Sequence, residues 1–347
     1  MHLSVLDLTP VRTDQSTSNA LTATMRLAKI ADDLDYTRYW VAEHHNIPSV
    51  AATSPAVLTA MIAAATSRIR VGSGGVMLPN HAPLAVAEQF ALLEAAHPGR
   101  IDLGIGRAAG SDPVASAVLR GATGRGDRDI DEFPDNLADV IALLSTAGVS
   151  VQLADRSYVL RSTPHALTRP HVFVLGSSMQ SARVAAAQGL PYVFGNHLFG
   201  EHTDEALTCY RSQFVPSELA AEPAAFLTVN TLVAETHDEA TALILPYLRL
   251  QAQTATGQAP GRLELVEDAQ QADLTPQQQR VAQGELSRAV IGTPAEALTQ
   301  LRELADRFGV DELMLNPVAS ARRGTDPASA PGRESTLRLL ADAASPE

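Results

Sequence analysis

Short apolar or β-branched runs alternate with longer Ala/Leu-rich stretches of helical period along almost the whole chain, and this alternation constrains the fold more than any other feature of the sequence. A strand buried on both faces reads as a continuous apolar run, and a helix that returns the chain to a parallel neighbour takes about a dozen residues. Repeats of that unit build a parallel sheet faced by helices. Strands are expected at residues 3–8, 39–42, 69–76, 101–105, 171–175, 191–194, 226–234 and 312–315. Helices are expected at 21–34, 55–65, 84–96, 130–144, 178–189, 203–214, 237–250 and 337–344. Eight such units in 347 residues fit one α/β domain, a (β/α)8 TIM barrel spanning 1–347, since the fold needs roughly 250 residues plus insertions.

Four stretches break the alternation. Residues 110–129 are rich in Gly, Asp and Arg and read as a long loop, and 151–161 read as a small hairpin. Residues 251–284, Gln- and Ala-rich, read as an insertion: a solvated helical excursion, a substrate lid or a dimer arm. Residues 319–334, with Arg322, Arg323 and several Pro and Gly, read as a flexible loop.

Composition narrows the function classes. Hydrophobic residues at 45% and charged residues at 19% supply a large core and argue against a disordered chain. With 26 Lys and Arg against 39 Asp and Glu, the net charge of −13 repels nucleic acid and anionic membrane surfaces. The single cysteine, Cys209, allows no internal disulfide, and the opening MHLSVLDLTP has neither a basic segment nor a long apolar one. No apolar run approaches the roughly 20 residues that span a bilayer. A soluble cytoplasmic protein is expected.

The end of a barrel where strands run into their following loops is the catalytic end. Trp40-Val41-Ala42-Glu43-His44-His45 puts two imidazoles there. Adjacent strand residues point to opposite sides, so one histidine can face the barrel mouth as acid, base or donor, while joint chelation of a metal is disfavoured. The alternative is a hydrogen-bonded structural histidine. Gly72-Ser73-Gly74-Gly75 ends the third strand, either to let a flat ring approach the backbone or to form a bulge. Arg107 ends the fourth strand and offers a planar fork to a phosphate, or else a surface salt bridge. Ser177, Ser178 and Ser181 follow the fifth strand, where a helix start is either simply capped or holds an anion. Gly104-x-Gly106 does not continue into a dinucleotide fingerprint.

Taken together, AEHH, VGSGGVMLPNHAP, PGRIDLGIGR and VLGSSMQSA, in this order at successive strand ends, resemble the bacterial-luciferase-like flavin monooxygenases. LSVLDLTP and IGTPAEALTQLRELADRFGVDELMLNP extend the resemblance over nearly the whole chain. It implies reduced FMN (FMNH2), supplied by a separate flavin reductase, and O2 acting on a small organic substrate. It implies His44 as the catalytic histidine, Gly74 and Gly75 where luciferase packs two alanines joined by a cis peptide against the isoalloxazine, and Arg107 on the flavin phosphate. Ser177, Ser178 and Ser181 fall where luciferase uses a glutamate, a serine and a threonine around that phosphate; serine in place of the glutamate is a departure that remains compatible with an anion. It also implies a homodimer packed through early helices, for which residues 56–65 are the candidate.

Three rival readings stay open. One is hydride transfer with F420 or FMN in the same superfamily, and another is a catalytically silent flavin-binding or partner subunit. The third is a metallohydrolase using His44, His45 and His81, although later strand ends lack the accompanying carboxylates and lysine, so no metal is expected. Met77, Phe194 and Phe199 are candidate apolar walls.

Overall fold

In the computed structural model, which describes residues 1–108, 110, 112–120, 131–198 and 200–344, each expected apolar run is a strand. From the N-terminus come β1 (His2–Asp7), α1 (Thr17–Asp33), β2 (Arg38–Val41), α2 (Pro55–Ala65), β3 (Arg70–Met77), α3 (Pro83–Ala96) and β4 (Ile101–Gly106). Next are α4 (Pro113–Arg120), α5 (Phe133–Leu143), the hairpin β5 (Val149–Leu153) and β6 (Arg156–Leu160), β7 (His171–Gly176), α6 (Met179–Ala187), β8 (Tyr192–Phe194) and α7 (Thr203–Gln213). The rest is β9 (Ala225–Val233), α8 (His237–Ala255), α9 (Val266–Gln270), α10 (Pro276–Arg288), β10 (Val290–Gly292), α11 (Pro294–Phe308), β11 (Glu312–Pro317) and α12 (Pro331–Ala344).

Eight strands close a parallel barrel in the order β1-β2-β3-β4-β7-β8-β9-β11, with β11 returning to β1. The helix-facing side chains, among them Tyr39, Val41, Leu103 and Leu315, form the main core. The alternate residues turn inward, and Trp40, Phe173 and Phe226 meet there with ring centroids 5.0, 5.6 and 5.8 Å apart.

The N-terminal end of the barrel is plugged by charge. The Arg38 guanidinium lies 5.1 to 5.7 Å from those three ring centroids and pairs with Asp102 at 2.8 Å and Glu312 at 2.6 Å. Asp102, fully buried, also accepts from Arg70 at 2.6 Å and from the Trp40 indole at 2.9 Å. An unpaired ion in that position would cost several kcal/mol, so the donors arrive as a set. The opposite, C-terminal end opens into a cavity.

Several elements differ from expectation, each for a local reason. Helix α4 occupies part of the stretch read as a loop: Asp112 accepts from the amides of Val114 and Ala115 at 2.9 and 3.0 Å, and Pro113 follows as the first helical residue. Residues 111 and 121–129 of that loop, and residue 130 of the helix read after it, lie outside the described residues. Strand β10 was not expected; β8 covers only three residues of β9, and β10 pairs with the later part of β9, Thr231 to Val233. Helix α8 runs on to Ala255, into the segment read as an insertion.

That segment is tied to the barrel. Leu263 exchanges backbone hydrogen bonds with Val11 and Thr13 at 3.0 and 2.9 Å, and the Val266 amide donates to Ala321 at 3.0 Å. Residues 319–334, expected to be a flexible loop, are held in place instead. Ala319, Ala321 and Ala330 are buried, Arg322 pairs with Glu239, and Arg323 pairs with Asp268 at 2.5 Å. Its last residues are the first turn of α12, where buried Arg333 pairs with buried Asp7 of β1. The acids that hold these arginines are distant in sequence, which is why composition alone suggested a loose loop.

Candidate active site

The open end of the barrel holds a cavity of about 660 Å³. His44, Gly74, Gly75, Arg107, Ser177, Ser178 and Ser181 all line it, although they come from four separate strand ends. Among the suggested walls, Met77 lines it, whereas Phe194 is fully buried against Tyr192 in the helix-facing core. Phe199 lies outside the described residues.

The cavity floor is backbone. A Cβ on Gly75 would stand 2.8 Å from the Gly104 carbonyl oxygen, which is fixed backbone, while one on Gly74 would stand 2.7 Å from Leu6 Cδ1 and displace that methyl. The peptide between them is cis, and the register of β3 on β4 shifts at Gly74 and Val76. The run is thus a bulge, and its two glycines line the cavity.

The histidines divide by the company they keep. Glu43 is fully buried, and its carboxylate accepts from His45 Nε2 at 2.9 Å, His81 Nε2 at 2.8 Å and the Met77 amide at 2.9 Å. Burial alone would raise its pKa, but these donors bring it below the ordinary carboxylate value. His45 and His81 thus serve as partners of Glu43, which accounts for both without a metal. Among the described residues no group of three His, Cys, Asp or Glu is arranged to hold a metal ion. His44 turns to the cavity. Burial pushes its pKa below the ordinary histidine value, opposed by a hydrogen bond to the Gly110 backbone and by the Glu43 charge, so the neutral imidazole is favoured.

Sequence reasoning missed a second cavity histidine, His197. Its Nδ1 contacts the Thr228 hydroxyl, and burial, with a further contribution from His44, pushes its pKa down to about 4. The Thr228 hydroxyl donates to the Phe194 carbonyl at 3.3 Å. It therefore accepts from Nδ1–H, and Nε2 keeps its lone pair. A polar residue just after strand 191–194 was the available signal, the same one that drew attention to Arg107.

Arg107 and the start of α6 form one side. Ser178 caps that helix: its hydroxyl accepts from the Ser181 amide, the Ser181 hydroxyl accepts from the Ser178 amide, both at 3.3 Å, and Ser181 also bonds Tyr192 at 2.9 Å. Their hydroxyls are thus occupied in capping. The Ser177 hydroxyl and the amides of Met179 and Gln180 are left to face a ligand. A Cβ on Gly176 would meet Ser181 Oγ at 2.2 Å, so glycine lets the strand end pass this close to the cap. The Arg107 guanidinium has no acidic partner among the described residues, and no other Lys or Arg among them lines the cavity.

The opposite side, also unforeseen, carries Asn316 from β11, Tyr247, Leu250 and Thr254 from α8, Pro260 and Glu285. Tyr247 had no sequence signal, because on an amphipathic helix it reads as core. The segment 251–284 thus contributes to the wall through Gln251, Thr254 and Pro260.

A donor fork, a capped helix start, a backbone floor and a neutral histidine make up one site. Comparison with known proteins gives it a context. Residues 1–312 match the luciferase-like monooxygenase family. A luciferase-like monooxygenase of Escherichia coli (strain K12) is 35% identical over 317 residues, 90% of each chain. An N-acetyl-S-alkylcysteine monooxygenase of Bacillus subtilis (strain 168) is 36% identical over 244 residues, 68% of this chain and 71% of that one. The crystal structure of apo-MsnO8 superposes with a TM-score of 0.85 at 32% identity, covering 99% of this chain and 98% of that one.

Proposed function

The chain belongs to the luciferase-like monooxygenase family, and we propose that it is a cytoplasmic, homodimeric flavin-dependent monooxygenase using reduced FMN from a separate reductase and O2 to oxygenate a small organic substrate. The observation that carries the reading is Arg107: in a chain of net charge −13, an arginine without an acidic partner among the described residues faces a cavity beside a capped helix start. That donor set suits a phosphate. Arg107, the Ser177 hydroxyl and the first amides of α6 would hold it, with Ser178 and Ser181 fixing the helix start. Gly74 and Gly75 line the cavity without side chains, so a flat ring would pack directly on their backbone.

Reduced FMN supplies two electrons, so that one atom of O2 goes to the substrate and the other leaves as water. The protein's part is to bind, to exclude water and to move protons. Neutral His44 can take a proton from a reacting group and return it without leaving a buried charge. Leu6, Leu8, Leu175 and Val193 surround the floor with apolar side chains.

Anaerobic titration with reduced FMN, oxidised FMN and reduced F420, followed by exposure to O2 in the presence and absence of candidate substrates, tests this. Reduced FMN is expected to bind preferentially. Arg107→Ala is expected to weaken FMN at least about 10-fold while leaving riboflavin, which lacks the phosphate, unchanged. Binding of F420 alone would move the reading to hydride transfer, and binding of none of the three would overturn it.

A further inference from the structure

We infer that Tyr247 selects the substrate: it is a hydrogen-bond donor, aimed by Asn316 and Asn230, that anchors an uncharged organic molecule through an acceptor oxygen. The inference rests on the proposed monooxygenase reading for what then happens to that molecule, and on the geometry alone for its recognition.

The direction of the hydrogen bonds follows from one backbone group. Asn230 and Asn316 are buried partners in register on β9 and β11. Asn230 Nδ2 lies 3.5 Å from the His197 carbonyl oxygen and 2.8 Å from Tyr247 Oη. A carbonyl only accepts, so the end of Asn230 turned toward it is the amide nitrogen. Asn230 Oδ1 therefore faces Asn316, which donates through Nδ2 at 2.8 Å. The Tyr247 oxygen is an acceptor in this chain, and its own proton must point elsewhere. Tyr247 Oη donates to no protein group among the described residues, and the residue lines the cavity, so the proton is available to whatever enters it. Burial, with the charge of Glu285, keeps the phenol protonated by raising its pKa above the ordinary value.

The surroundings decide the class of molecule. Leu250 and Pro260 are apolar, and Glu285 is already paired with Arg288 at 2.5 Å. Arg107 follows β4, four strands from β11 in a ring of eight and so on the far side of the barrel. Arg288 lies within reach of Tyr247 but is already paired with Glu285, so a carboxylate or sulfonate there would lose its hydration without gaining an unpaired cation. A ketone, aldehyde, amide or ether oxygen would receive one hydrogen bond and otherwise meet hydrocarbon.

Acetophenone, ethylbenzene and 4-acetylbenzoate are the probes, with affinities measured by calorimetry on flavin-free and FMN-loaded protein, wild type and Tyr247→Phe. Tyr247→Phe is expected to weaken acetophenone about 3- to 10-fold, the worth of one hydrogen bond, while ethylbenzene and FMN stay within about two-fold. In the wild type, 4-acetylbenzoate is expected to bind at least about 10-fold more weakly than acetophenone. The inference is overturned if acetophenone does not bind, if the variant weakens both neutral probes equally or neither, or if the carboxylate binds as well as the ketone. Failure of FMN to bind, with the acetophenone effect intact in flavin-free protein, would overturn the flavin reading and leave this one standing.

Discussion

His197 stands in the cavity as a neutral imidazole because burial takes its pKa from 6.5 down to about 4. The sign of the resulting pH dependence follows directly. A folded value below the unfolded one means that protons bind the unfolded chain more readily, so the contribution to stability is complete above about pH 6.5 and is lost as the pH falls toward 4. The full loss is on the order of 3 kcal/mol. Urea unfolding of the wild type and His197→Gln at pH 7 and pH 4.5 checks it: the wild type should lose more stability between the two, and equal losses would mean that His197 is not held neutral. At this scale the sequence was legible for the place of His44, which its motif puts at a strand end and which lines the cavity. It was silent on how His45 and His81 are used, because their common partner Glu43 lies two residues from one and 38 from the other.

The glycines of β3 and β4 set how closely two elements approach. A Cβ on Gly104 would lie 2.2 Å from the Ser73 carbonyl oxygen, and one on Gly72 would lie 2.2 Å from that of Asp102. Both obstacles are backbone, which cannot rotate away as a side chain does. Gly104→Ala is therefore expected to cost at least about 3 kcal/mol by parting the strands beneath the cavity. Gly99→Ala, where nothing lies within 4 Å and only the positive φ of 76° resists, should cost about 1 kcal/mol. Paired thermal and urea melts test the contrast, and similar losses would show that strand approach is not the constraint. Elements with strong periodicity were legible. Helix α4 was not read, although Asp112-Pro113 is a recognisable start, because Gly and charge dominate its neighbourhood. Strand β10 was missed because three residues carry no period; it exists by pairing with the free edge of β9.

On the scale of the whole molecule, the two ends of the chain hold each other. β1 pairs with β11, and Asp7 accepts from Thr24, Tyr39 and the Thr9 amide while Arg333 of α12 supplies the balancing charge. The family match ends at residue 312, the first residue of β11, yet the rest of that strand and helix α12 lie beyond it. Among the described residues, large apolar side chains stay exposed on α4, on the β5–β6 hairpin and on α2. Val57, Ala60, Met61 and Ala64 form an exposed apolar stripe along α2, with Val57 59% and Met61 41% exposed, and such a stripe on a charged protein favours burial against a second copy. Light scattering should give twice the chain mass for the wild type and a shift toward the monomer for Met61→Glu. A wild type that stays monomeric at all concentrations would remove the homodimer from the proposed function.

The sequence by itself determined the eightfold alternation, the polarity of the barrel and the strand ends that face the cavity, because periodicity and backbone requirements are written within a few neighbouring residues. Only the tertiary structure decided which polar groups face one another: Glu43 with His81, Asn316 with Asn230 and Tyr247, Asp7 with Arg333. These pairs join residues distant along the chain, and closing the barrel is what brings each donor within reach of its acceptor.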